Sequence, residues 1–158
     1  MNDFSHLDEE GKVEMVDISD KKDSIRESTA TGSIELKNET VKSIKEDKIS
    51  KGNVLATSRV AAIESVKNTS SDIPLCHNIK ITGVDIDYEI EDEAIKAKVT
   101  VKTTDKTGVE MEALNGVSTA LLTIWDMVKS KEKDKNGQYP STEINSIKVD
   151  KKIKREIK

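Results

Sequence analysis

Residues 79–103 read IKITGVDIDYEIEDEAIKAKVTVKT. Apolar and polar side chains alternate on both sides of the acidic triplet Glu91, Asp92 and Glu93. A period of two residues is typical of strands that bury one face, and a short polar break between two such runs predicts a hairpin. The apolar positions are Ile79, Ile81, Val84, Ile86, Tyr88 and Ile90, then Ile95, Ala97, Val99 and Val101.

The segments before and after this hairpin have apolar residues at helical spacing. Residues 53–69 place Leu55, Val60, Ile63 and Val66 on one predicted helix face, and residues 108–134 form the most apolar helix of the chain. Further strands are predicted at residues 24–37 and 143–149, with a short helix at residues 39–47. The order strand, helix, helix, strand, strand, helix, strand predicts an α+β fold with an antiparallel sheet and helices packed on one face.

The two ends differ from the rest of the chain. We predict a single domain over residues 1–158, with residues 1–12 as a mobile arm. Residues 148–158 carry six basic and two acidic side chains. This basic tail has two interpretations, a solvated charged end or a basic flap over an anionic ligand.

Composition excludes several classes of function. The net charge of −4 and an aromatic content of 3% disfavour a nucleic-acid binder. Cys76 is the one cysteine, which excludes an internal disulfide and a cysteine-rich metal site. Without a long apolar run or a signal segment we expect no membrane association and a cytoplasmic protein. The apolar fraction of 34% suggests a loose end or a core completed by another subunit.

Three charged residues are candidates for chemistry. Asp126 lies in the apolar run LLTIWDMV, so we expect it to be buried, and Lys129 shares its helix face. The pair is either a structural ion pair or a carboxylate placed for proton transfer beside a cation. Lys51 precedes a predicted helix N-terminus, where it is either an ordinary surface lysine or part of an anion site.

Residues near Pro74 form a second candidate group. We interpret Cys76 as a small buried hydrophobe, whereas His77 is as compatible with a functional as with a structural role. Glu112 begins the helix that contains Asp126, and their separation of 14 positions corresponds to roughly 21 Å along the helix. Two such helices packed antiparallel about a two-fold axis would bring Glu112 of one subunit beside Asp126 of the other.

Several segments together resemble cyclic pyranopterin monophosphate synthase, the molybdenum cofactor biosynthesis protein C family. The resemblance runs in order from about residue 11 to about residue 130. The segments that carry it are MVDIS (residues 15–19), KGNVLAT (51–57), IPLCH (73–77), TGVEMEAL (107–114) and LTIWDMVK (122–129). Asn78, Trp125 and the lysine-rich ending in place of a glycine-rich one depart from the familiar bacterial pattern.

This resemblance implies a ferredoxin-like subunit in a homohexamer, a trimer of dimers with sites at the dimer interface. It also implies a lyase that converts 3′,8-cyclised dihydroguanosine triphosphate to cyclic pyranopterin monophosphate and releases pyrophosphate. No tightly bound cofactor is implied, and Mg²⁺ would accompany the substrate triphosphate. A non-catalytic nucleotide-binding or assembly module on the same fold is the alternative.

The resemblance also assigns roles to residues. The catalytic positions of the family fall on Asp126, Lys51 and Lys129. Arg26 falls in the strand where the family places an arginine near the phosphates. The substrate-contacting positions fall on Leu75, Cys76, His77, Met111 and Glu112.

Overall fold

The computed structural model of the protein describes residues 12–157. Its four strands form one antiparallel sheet in the order β2-β3-β1-β4. This is the strand order of a ferredoxin-like βαββαβ fold with one additional short helix, so the predicted α+β class is confirmed. The elements are β1 (Ser24–Glu35), α1 (Asn38–Lys45), α2 (Val54–Asp72), β2 (Ile81–Ile90), β3 (Ala94–Asp105), α3 (Glu110–Glu132) and β4 (Glu143–Glu156).

The core lies between the sheet and the helices. In the β1–β3 pair, Ala30 lies opposite Val99 and Ile34 opposite Ile95, and all four side chains are inaccessible to solvent. Alternating side chains of a strand point to opposite faces, which leaves the polar residues between them on the other side of the sheet. The predicted hairpin at residues 91–93 joins β2 to β3.

Helix α3 packs closely on β1 because of a glycine. A Cβ atom at Gly32 would lie 2.8 Å from a methyl of Val117 and 2.9 Å from one of Leu121. Glycine therefore lets the middle of α3 approach the strand backbone.

Helix α2 buries Val66 as predicted, and Leu55 and Ile63 pack against the core, but one predicted position is wrong. Val60 is 62% exposed, whereas the buried positions include the small polar residues Ser58, Ser65 and Thr69. The Ser58 hydroxyl donates to the carbonyl of Ala120 on α3 at 2.9 Å. Small side chains and hydrogen bonds allow α2 and α3 to pack closely, and apolar periodicity alone does not indicate these polar contacts.

The basic tail is part of the sheet. The last strand was predicted to end near residue 149, but β4 continues to Glu156 and pairs with β1 as far as Ser24. Its lysines are exposed, as expected for a charged end, while the backbone completes the ladder on β1. The predicted arm lies almost wholly outside the described residues. Within residues 12–157, no helix is long and apolar enough to span a bilayer.

Candidate functional site

An aspartate between two lysines stands out near the C-terminal end of α3. The Asp126 carboxylate accepts from the Lys129 ammonium at 2.7 Å and from the Lys51 ammonium at 3.0 Å. Lys51 also donates to the backbone carbonyl of Asp126 at 2.8 Å. The three predicted catalytic residues therefore meet within one chain.

The turn before α2 sets the position of Lys51. Gly52 has a φ of +104°, a conformation that glycine adopts with little strain. The next residue, Asn53, caps α2, and its side chain accepts from the Ala56 N–H at 2.8 Å. The sequence KGN thus ends the turn, starts the helix and leaves the lysine directed toward α3.

The surroundings of Asp126 differ from the expectation. We predicted a buried carboxylate, but the side chain is 58% exposed, and those of Lys51 and Lys129 are each 46% exposed. Asp126 lies on the solvent side of α3, whereas its neighbours Ile124 and Val128 fill the core. Hydrogen bonds and charge from Lys129 and Lys51 lower the pKa of Asp126, so the carboxylate stays ionised at neutral pH.

A second group lies at the other end of α3. His77 and Glu112 line a cavity of about 300 Å³ near the start of the helix. Most of the predicted substrate-contacting residues meet there. The lining includes Val16, Ile18, Lys21, Leu75, Cys76, His77, Met111 and Glu112.

The titratable groups in this cavity have distinct environments. Burial raises the pKa of Glu112, which is 3% exposed, with a smaller contribution from the charge of Glu110. Burial and then the nearby Glu112 raise the pKa of the Cys76 thiol, which disfavours the reactive thiolate. His77 donates from Nε2 to the carbonyl of Val16 at 2.8 Å. That bond leaves Nδ1 of the neutral ring as an acceptor.

Arg26 lies beside a third, basic region. Its guanidinium donates to the carbonyls of Lys106 at 3.0 Å and Asp105 at 3.4 Å. A cavity of about 420 Å³ lies next to it, lined by Lys21, Lys22, Asp23, Ser24, Arg26, Lys154, Glu156 and Ile157. The buried Ser24 hydroxyl has no hydrogen-bond partner among the described residues. Since Lys21 lines both cavities, the basic region adjoins the His77 cavity.

Sequence reasoning missed part of this basic region. Lys21, Lys22 and Ser24 were not singled out, and Lys154 was seen only as part of a charged tail. The adjacent lysines ahead of a strand were a weak signal. Lys154 becomes a neighbour of Arg26 because β4 pairs with β1 at that register.

The structure does not bring the two ends of α3 together. Asp126 lines neither cavity, and 14 residues of helix separate it from Glu112. One chain therefore presents two partial sites, one with the ionised carboxylate and one with the buried carboxyl and the imidazole.

Comparison with known sequences identifies the family. A profile described as the MoaC family matches residues 15–154, which include both partial sites. The chain belongs to the MoaC family. The resemblance drawn from the sequence motifs is thereby confirmed.

Named proteins from several organisms match this chain over nearly its whole length. A protein of Methanosarcina mazei named probable cyclic pyranopterin monophosphate synthase is 56% identical over 96% of this chain and 96% of its own length. A protein of the same name from Pyrococcus furiosus is 55% identical over 97% of each chain. A protein of Methanothermobacter thermautotrophicus, named probable cyclic pyranopterin monophosphate synthase accessory protein, is 55% identical over 99% of this chain and 98% of its own.

Proposed function

We propose that this MoaC family protein is a cyclic pyranopterin monophosphate synthase, a lyase of molybdenum cofactor biosynthesis. Its substrate would be 3′,8-cyclised dihydroguanosine triphosphate, and its products cyclic pyranopterin monophosphate and pyrophosphate. The observation that carries the proposal is the Asp126 carboxylate held between the ammonium groups of Lys51 and Lys129. The names of relatives that match nearly the whole chain support the same reaction.

The two carboxyl groups suit opposite roles in proton transfer. Opening and reclosing the purine-derived ring requires protons to be removed and delivered. Asp126, with its lowered pKa, is ionised and can accept a proton or stabilise positive charge. Glu112, with its raised pKa, more readily holds a proton to donate. We assign the base to Asp126 and an acid to Glu112, with His77 as a second group that can exchange a proton.

The phosphate chemistry requires concentrated positive charge. A sugar hydroxyl gives its proton to a base and attacks the α-phosphorus, the bond from that phosphorus to the bridging oxygen breaks, and pyrophosphate leaves with the electron pair. Lys51 and Lys129 can stabilise the negative charge that accumulates in this step. We place the triphosphate toward the basic cavity, where Arg26 and Lys21 offer donors. The Ser24 hydroxyl, without a partner in residues 12–157, can bond a phosphate oxygen there. Mg²⁺ would bind to the phosphate oxygens of the substrate and arrive with it.

A complete site would require two subunits. The Asp126 group and the His77–Glu112 cavity lie at opposite ends of α3, too far apart for one small substrate to contact both within one chain. We therefore propose that α3 helices of two subunits run antiparallel, so that Asp126 of one meets Glu112 of the other. Three such dimers would form the homohexamer.

Product formation tests this function. The purified protein would be incubated with the cyclised nucleotide and Mg²⁺, and the mixture analysed by mass spectrometry for the cyclic-phosphate pterin and by enzymatic assay for pyrophosphate. We expect both products in equal amounts. A parallel incubation with EDTA would report whether Mg²⁺ is needed.

The alternative is a non-catalytic binding module on the same fold, and the name of the Methanothermobacter relative includes the words accessory protein. Such a module would bind the cyclised nucleotide in calorimetry but release neither product. That outcome would overturn the synthase proposal.

A further inference from the structure

The segment between α3 and β4 is a closed turn held by its own hydrogen bonds. The Asp134 carboxylate accepts from the backbone N–H groups of Asn136 at 2.8 Å and Gln138 at 2.9 Å. The Asp134 N–H donates to the carbonyl of Gln138 at 2.9 Å, and Gly137 takes a φ of +77°. An aspartate that satisfies two backbone donors restricts the turn to one conformation.

Both ends of this turn are tied to the core. Glu132, the last residue of α3, is inaccessible to solvent and accepts from the Thr142 hydroxyl at 2.6 Å. It also accepts from the backbone N–H of Lys37 at 3.3 Å. A buried carboxylate requires such partners, so Glu132 joins the end of α3 to the start of β4. The segment between them therefore holds its residues in defined places.

The turn places Tyr139 against the helix that carries Asp126. The rings of Tyr139 and Trp125 meet edge to face, with centroids 5.5 Å apart and planes at 70°. The Lys133 ammonium lies 5.9 Å from the centroid of the Tyr139 ring. Edge-to-face pairs of this kind are a favoured geometry that orients both rings.

Trp125 and Lys129 are four residues apart and share one face of α3. Trp125 therefore lies about one helical turn from Lys129, and the Tyr139 ring packs on that tryptophan. The aromatic pair therefore adjoins the lysine that contacts the candidate base.

We propose that Tyr139 is a positioning residue for Lys129: its ring, seated on Trp125, limits the conformations of the lysine so that the ammonium stays on Asp126. The inference rests on the proposed function for its catalytic consequence. The placement of the Lys129 ammonium on Asp126 can also be tested in the free protein, without substrate. The phenol hydroxyl itself is not required, because the contact with Trp125 is made by the ring.

Two substitutions at Tyr139 test this role kinetically. Tyr139→Ala should lower kcat about ten- to hundredfold with KM changed much less, because a misplaced group affects the reacting geometry more than substrate affinity. Tyr139→Phe should restore kcat to near the wild-type value. Asp134→Ala, which loosens the turn but keeps the ring, should lower kcat by a smaller factor. Equal losses in Tyr139→Phe and Tyr139→Ala would overturn the proposal in favour of direct action by the hydroxyl.

A measurement on the free protein separates this inference from the proposed function. The charged groups that contact Asp126 are Lys51, from the turn before α2, and Lys129, on α3, while the Lys133 ammonium lies against the Tyr139 ring. In carbon-13 NMR titration, the Asp126 carboxyl pKa should rise toward its ordinary value in Tyr139→Ala and stay low in Tyr139→Phe. An unchanged Asp126 pKa and kcat in a folded Tyr139→Ala protein would overturn the inference even if the wild type is an active synthase.

Discussion

At the level of single residues, the two acids of α3 are in opposite environments. Asp126 is exposed and paired with two lysines, which lowers its pKa. Glu112 is buried beside a cavity, which raises its pKa. One helix therefore carries a carboxylate and a carboxyl that differ in their tendency to hold a proton, and each can be tested separately.

Replacing Asp126 by Asn should abolish most activity while the protein stays folded. Loss of a group that transfers a proton lowers the rate by about 10²- to 10⁴-fold, whereas loss of an exposed ion pair has little effect on stability. Rates would be measured from pyrophosphate release and stability from thermal unfolding. A matched control is Glu64→Gln, because Glu64 pairs with Lys67 in the same exposed i,i+3 arrangement at 2.6 Å on α2. Equal activity of the two variants would contradict a catalytic Asp126.

Replacing Glu112 by Gln should change how stability depends on pH. Burial raises the pKa of Glu112 above its ordinary value of 4.5, so the folded protein binds this proton more tightly than the unfolded chain does. Wild-type stability therefore falls as the pH rises from the ordinary pKa through the raised one. Glutamine does not titrate. Relative to wild type, the melting temperature of Glu112→Gln should therefore rise by about 2 °C or more between about pH 4 and about pH 7. If the melting temperatures of the variant and the wild type differ by the same amount at both pH values, the pKa of the Glu112 carboxyl is not raised by folding.

At the level of elements, β4 shows how a charged segment becomes ordered. Residues 150–156 carry four basic side chains, a composition typical of a solvated end. Their backbone instead pairs with the first half of β1. The strand exposes its lysines, and charges on an edge strand also disfavour pairing with other molecules. Order here depends on the partner strand rather than on the side chains.

Removal of residues 150–158 should therefore destabilise the protein. The truncation would leave residues 24–29 of β1 without a partner strand on the side that β4 now covers. Each lost hydrogen bond between the strands lowers the free energy of unfolding by about 0.5–1.5 kcal/mol. We expect the free energy of unfolding in urea to fall by about 2–4 kcal/mol, with more aggregation. The double variant Lys148→Gln, Lys151→Gln keeps the backbone and is the control, expected to unfold like wild type. Equal stability of the truncated protein would mean that the pairing contributes nothing.

At the level of the whole molecule, the separation of the two partial sites predicts complementation between subunits. Asp126→Asn and Glu112→Gln would be unfolded together in equal amounts and refolded. If each site combines Asp126 of one subunit with Glu112 of the other, mixed dimers regain one intact site, and activity should recover to about a quarter of wild type. Each variant refolded alone is the control. No recovery in the mixture would contradict a site that combines Asp126 of one subunit with Glu112 of the other.

The local sequence by itself determined most of the elements and predicted the candidate site residues. The alternation in residues 79–103 specified the β2–β3 hairpin, because a strand buries every second side chain. The apolar period of α3 identified Val117, Leu121 and Val128 as core. The motifs around Lys51, His77 and Asp126 identified the family, and the family profile confirmed it.

Only the tertiary structure decided which residues meet. Lys51 reaches Asp126 across 75 positions of chain, and Lys154 becomes a neighbour of Arg26 through strand register. The exposure of Asp126, the buried polar face of α2 and the contact of Tyr139 with Trp125 also depend on long-range packing. Local patterns report the period of a single element, whereas these contacts depend on how separate elements are placed against one another.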